Sequence, residues 1–286
     1  VTESPARGAP YAPYMDDRTA EPPGLSPLDP AAWLTADPDF ASQMQERDAL
    51  IESGAPDVAA QTDDAGPIVA EFRAALFEHL AARPEWTLSD GAARRPDGIP
   101  VSLSGETMAL AGRLAQEDFL LLAPGEGAAE ARLVAGVLCF PSRWSLTEKL
   151  GRALSPIHAP TPRYAGDLAA RVNRVFAALR PERPLMRVNW LVTPTDRLRL
   201  VQREDAKAPH APPGAQFWLR TERQTLLRLP HTGAVVFGVK TTLTPVGALT
   251  AEERAVIARR MAGWPAADVD YRGGAAQHAA ALAALA

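Results

Sequence analysis

Hydrophobic positions divide the chain into a helical first part and a strand-rich second part. Val69, Phe72, Leu76 and Leu80 recur at the spacing of one helix face, which predicts an amphipathic helix. A more polar helix is predicted from Asp37-Pro38-Asp39 to Ile51. Leu103, Met108, Leu110 and Leu114 suggest another, ending near the acidic pair Glu117-Asp118. From there the runs shorten. Phe119 to Leu122 is apolar, Pro124-Gly125-Glu126-Gly127 is turn chemistry and Leu133 to Phe140 reads as a buried strand, which together predict a hairpin. A short helix over Ser145 to Leu150 stops at Gly151.

The block Ser155-Pro156-Ile157-His158-Ala159-Pro160-Thr161-Pro162 is different. Ser155, Ala159 and Thr161 each precede a proline and are biased away from the helical region, so a stiff loop is expected. Leu168, Val172, Val175, Phe176 and Leu179 then share one face of a long amphipathic helix. Met186, Val188, Trp190 and Val192 alternate with Arg187, Asn189 and Leu191, the period of a strand. The runs Gln216 to Leu227 and Ala234 to Thr242 flank Pro230-His231-Thr232-Gly233 as a hairpin turn. Thr250 and Glu253 form a capping box that opens a helix through Met261.

Pro5, Pro10, Pro13, Pro22, Pro23, Pro27 and Pro30 leave residues 1–32 poor in amide donors, which predicts an extended Pro-rich arm over the domain. A single α+β domain is expected over 33–265, its antiparallel sheet wrapped by helices. Residues 266–286 read as an Ala-rich tail of low complexity.

Composition narrows the function. The 286 residues carry 30 Lys plus Arg against 34 Asp plus Glu, a net charge of −4. Nucleic acid is therefore not an expected partner, since duplex binding uses a basic footprint. Cys139 is the only cysteine, which excludes an intramolecular disulfide and every four-cysteine metal or cluster site. No apolar run reaches the ~18–20 residues that cross a bilayer, and no signal peptide is seen, so a cytoplasmic protein without membrane partners is expected. Motifs for a nucleophile elbow, a Walker A loop and a His-Glu-x-x-His zinc helix are absent. Gly125-Glu126-Gly127 opens like a dinucleotide fingerprint, but Glu130 stands where its third glycine belongs.

Among five histidines, His79 reads as a partner of a helix C-terminus, His210 and His231 as surface residues, and His278 as part of a frayed tail. His158 has a fixed local backbone that suits a metal ligand, although from these residues alone an ordinary histidine on a stiff loop is the favoured reading. Cys139 in Val137-Leu138-Cys139-Phe140 reads as core. The densest polar constellation is Trp218-Leu219-Arg220-Thr221-Glu222-Arg223-Gln224-Thr225-Leu226. As a strand it puts Arg220, Glu222 and Gln224 on one face and Thr221, Arg223 and Thr225 on the other. One set can be solvated; the other needs partners, because isolated buried charge is too costly.

Trp144 with Glu148-Lys149-Leu150-Gly151, Ile157-His158-Ala159-Pro160-Thr161-Pro162, Arg187-Val188-Asn189-Trp190 and Arg220-Thr221-Glu222-Arg223-Gln224-Thr225-Leu226 follow one another, then Arg228-Leu229-Pro230 and a strand through Phe237. Trp33, Asp37-Pro38-Asp39-Phe40 and Gln116-Glu117-Asp118-Phe119 precede them. Over roughly residues 30–265 this series resembles the haem-dependent oxidative N-demethylase family, which includes dimethylamine monooxygenase subunits of bacteria.

The resemblance implies a Per-Arnt-Sim-like sheet holding haem b, and O2-dependent removal of a methyl group from a small methylated amine with release of formaldehyde. It implies electrons from NAD(P)H through FMN and a [2Fe-2S] centre on a separate reductase, hence a hetero-oligomer, and tetrahydrofolate as a formaldehyde acceptor. His158 becomes the expected iron ligand, with His231, or no residue, as the alternative. Arg220, Arg223, Trp144 and Arg187 are expected around the cofactor. Glu222 and Trp190 are the candidate catalytic residues, and Trp190, Phe217, Trp218 and Glu222 the candidate amine site. A haem-based gas or redox sensor without enzymatic activity is the competing class.

Overall fold

Strands that alternate in sequence assemble into one antiparallel sheet. The computed structural model describes residues 8–125, 130–161, 167–203 and 214–286. It orders seven strands as β1 (Ser26–Pro27), β8 (Leu185–Thr193), β9 (Trp218–Arg228), β10 (Val235–Pro245), β6 (Asp118–Ala123), β7 (Arg132–Val137) and β2 (Ala59–Gln61). The β9–β10 hairpin forms the spine, registered from Val235 opposite Arg228 to Pro245 opposite Trp218. A separate small sheet of β3 (Thr87–Ser89), β4 (Ala92–Arg94) and β5 (Pro100–Ser102) was not signalled by any periodic run.

Register sorts side chains onto two faces. Leu185, Arg187 and Asn189 stand opposite Leu226, Gln224 and Glu222; Leu226 stands opposite Phe237, and Phe237 opposite Leu120. The three helices α5 (Leu146–Lys149), α6 (Leu154–His158) and α7 (Asp167–Ala178) cover this first face. Leu146, Leu154, Ile157, Val172 and Phe176 pack there with Leu120, Leu226 and Phe237.

Two clusters cover the second face. Phe119 and Leu121 pack with α2 (Phe40–Glu52), α3 (Gly66–Ala81) and α4 (Thr107–Leu114). Trp190, Val192 and Leu219 pack with Tyr14, α8 (Ala251–Ala262) and α10 (Gly274–Leu285). Where β6 begins, the buried Arg47 donates to the Gly112, Gln116 and Glu117 carbonyls and to Asp118. Asp118 in turn accepts from the Cys139 and Phe140 amides, so one ion pair closes the end of the β6–β7 pair.

Four expectations change. The arm is not extended throughout: Pro13–Met15 is a 3-10 turn, α1 (Asp17–Ala20) follows, and β1 pairs with β8. Pro13 and Pro30 occupy first turns, where a missing amide donor costs nothing. The Ala-rich segment forms α9 (Ala266–Tyr271) and α10, because alanine has the highest helix propensity and Ala281 and Leu285 bury one face. His278 lies 5.7 Å from the Trp264 ring instead of fraying.

His79 packs edge-on to Trp33 at 5.2 Å, and burial lowers its pKa to about 4. It is therefore neutral near pH 7 and is not a cationic helix cap. His158 ends a helix, α6, rather than sitting on a loop. Pro156 falls in its first turn, where proline is tolerated. Glu126, Gly127, Pro162 and His210 lie outside the described residues.

Candidate functional site

The first face of the sheet gathers the charges that the hydrophobic pattern left unassigned. From the covering layer, His158 places its Nδ1 2.9 Å from the Leu154 carbonyl, one turn back on α6. A carbonyl only accepts, so Nδ1 carries the hydrogen and the neutral ring keeps its lone pair on Nε2. Burial lowers the His158 pKa, which favours the neutral form that binds metals.

From the sheet, Arg220 is fully enclosed. Its guanidinium donates to Glu222 at 3.1 Å, to the Leu198 and Phe140 carbonyls and to Thr241. Asn189 and Gln224 donate to the other oxygen of Glu222 over longer distances, 3.4 and 3.3 Å. Arg187 is less satisfied. Its Nε is buried with no hydrogen-bond partner among the described residues, burial lowers its pKa, and its charge is felt at His158.

Arg143 completes the group. Its backbone is left-handed at φ 62°, a costly state for a residue with a Cβ. Its side chain lies over the Tyr271 ring at 5.6 Å, and burial lowers its pKa too. Electrostatic coupling ties it to Arg220 and Glu222. Among the described residues, three guanidiniums thus act on one carboxylate, Glu222, in a partly desolvated place.

Trp144 packs in the apolar layer of this face with Ile157, Phe176 and Phe237. Trp218 shares the Arg220–Glu222 side of β9 by alternation. Three anticipated residues lie elsewhere. Arg223 points to the second face, where it donates to the Trp33 and Ala32 carbonyls. Trp190 packs there against Tyr14 and Trp264, both at 5.7 Å, and Phe217 joins the same cluster. Strand parity separates Arg223 and Trp190 from His158 by the thickness of the sheet. Arg143 was missed because one arginine beside Trp144 looks like any surface arginine in sequence.

Among the described residues, no three His, Cys, Asp or Glu side chains gather as metal ligands. A haem needs one protein ligand for its iron, which His158 could supply, and cationic groups for its propionates, which Arg143 and Arg187 could supply. A family model for the haem-dependent oxidative N-demethylase, alpha subunit-like proteins matches residues 24–282. The chain belongs to that family. The N-demethylase alpha subunit-like match runs from just before β1 into α10, so most of the Ala-rich helix lies within it. The family is described as haem-dependent, and its description as alpha subunit-like points to a multi-subunit enzyme. No described helix is long and apolar enough to cross a membrane.

Proposed function

We propose that this protein is the haem-holding subunit of a monooxygenase that removes a methyl group from a small methylated amine and releases formaldehyde. The observation that carries the proposal is His158, with Nε2 as its lone-pair atom, together with the desolvated Arg143 and with Arg187, whose Nε has no hydrogen-bond partner among the described residues. Along the chain, the five longest strands lie in the order second, first, fifth, fourth, third, which supports a Per-Arnt-Sim-like sheet.

In this reading His158 holds the iron through Nε2, while the Leu154 carbonyl fixes the tautomer. Arg143 and Arg187 take the two propionates by charge-assisted hydrogen bonds. When bound, the haem supplies O2 activation for oxidation of the methyl group. With the propionates in place the local charge is balanced, and the Glu222 oxygen held only by long amide contacts accepts an N–H of the protonated amine. Trp144, Ile157 and Phe237 exclude water from that region. Electrons come from NAD(P)H through a separate flavin and iron–sulfur reductase, and tetrahydrofolate is the proposed formaldehyde acceptor.

Haem reconstitution of the purified chain tests the first half. A Soret band at one haem per chain, lost in His158→Ala while the fold persists, is expected; no Soret band in the wild-type chain refutes the proposal. Formaldehyde release from dimethylamine with NADPH and a reductase tests the second half. A haem protein that never consumes NADPH in that assay is not the proposed enzyme.

A further inference from the structure

The proposed iron ligand stands on α6, which has only five residues, Leu154–His158. A helix that short has no stability of its own, since nucleation costs more than one turn returns. Its sequence also opposes it: Ser155 precedes Pro156, which disfavours helical backbone at Ser155. Something outside the helix has to hold it.

Two oppositely charged side chains do so, one at each end. Glu130 accepts from the Ser155 amide at 2.7 Å and from the Ser155 hydroxyl at 2.6 Å. The same carboxylate accepts from Asn173 on α7 at 2.7 Å, so it joins the two helices that cover the face. At the other end the buried Lys149, on α5, donates to the Ile157 carbonyl at 2.7 Å. A carboxylate at the N-terminal amides and an ammonium at a C-terminal carbonyl both match the helix dipole. The clamp thus ties α6 to α5 through Lys149 and to α7 through Glu130 and Asn173.

We propose that Glu130 and Lys149 are positioning residues for His158, setting the direction of its Nε2 toward the haem iron. The inference rests on His158 being the ligand. Neither side chain touches the cofactor in this scheme; they act through α6. Glu130 fixes where the helix begins, Lys149 fixes where it ends, and the Leu154 carbonyl fixes the ring.

The test compares wild type with Glu130→Gln, Ser155→Ala, Lys149→Met and His158→Ala, each reconstituted with haem. Readouts are circular dichroism, haem affinity, and the iron–imidazole stretch of the ferrous protein by resonance Raman. Expected for Glu130→Gln and Lys149→Met are a shifted or broadened stretch and haem affinity lower by about 10-fold or more, with helix content retained. Ser155→Ala, which deletes one hydroxyl, moves the band in the same sense by less, and it decides the matter if either charge variant fails to fold. An unchanged band and affinity in the folded variants, with the band lost in His158→Ala, overturn the clamp alone. A His158→Ala protein that keeps the wild-type spectrum overturns the ligand assignment, and the clamp with it.

Discussion

Arg220 and Glu222 stand two residues apart on β9, their side chains 3.1 Å apart on one face, the arginine with no exposed side-chain surface and the glutamate with 11%. Three further acceptors surround the guanidinium. Breaking a buried pair strands a charge, so Arg220→Met is expected to cost about 3–5 kcal/mol. Glu222→Gln keeps the shape and is expected to cost less. Urea denaturation of the haem-free proteins measures both, and a neutral Arg220→Met would show that the pair adds nothing to stability.

Arg143 and Arg187 are expected to behave in the opposite way. Each is desolvated without an ion-pair partner among the described residues, so Arg143→Met and Arg187→Met should leave the haem-free fold as stable as wild type, or more so. Each should cost the haem-bound form about 1.5–3 kcal/mol, the worth of a hydrogen bond to a charged group. Denaturation without haem, paired with haem transfer to an excess acceptor protein, separates the two effects. Equal losses in both states would count against propionate contacts.

His79 predicts a pH dependence. Burial lowers its folded pKa to about 4, against an ordinary value of 6.5. Between those values the unfolded chain binds more protons than the folded one, so this residue's contribution makes stability rise with pH from 4 to 6.5 and level off above. Subtracting the profile of His79→Gln from that of wild type isolates the contribution. A difference that is flat from pH 4 to 7 would mean the imidazole is not held neutral by its surroundings.

Leu285 closes the cluster around Trp190, Met261 and Ala281. Leu285→Ala is expected to destabilise by about 2–5 kcal/mol, the usual range for a buried leucine. Thermal unfolding checks this, with tryptophan fluorescence as a second signal. A change below about 0.5 kcal/mol, the scale of surface substitutions, would mean that α10 is an appendage.

Much of the sheet was legible because strand alternation survives in sequence. Met186 to Val192 and the hairpin around Pro230-His231-Thr232-Gly233 occur where the periods place them. Parity alone does not say which face is which. It pairs Arg220 with Glu222 and separates Arg223, but the second face became visible only when Arg223 was seen to donate to the Ala32 and Trp33 carbonyls. Trp190 was misplaced relative to Glu222 for the same reason. α6 was hidden because its helical signal is one turn long and its Ser-Pro step argues the other way, while the carboxylate that rescues it comes from 25 residues upstream. α10 was hidden because an alanine-rich run carries almost no contrast between its faces.

Arg223 reaches Trp33 across 190 residues of sequence, Lys240 reaches Thr35 across 205, and Glu253 accepts from Ala9 across 244. During synthesis the segment around Trp33 therefore has no dock until β9 and β10, 190 to 205 residues later, have emerged. Loops of that length close slowly compared with local helix formation. The covering segment around Trp33 must wait, and until it arrives the second face of the sheet keeps Arg223 and Lys240 open to water. The last contacts of assembly are therefore expected to join residues such as Trp33 and Arg223, made 190 positions apart.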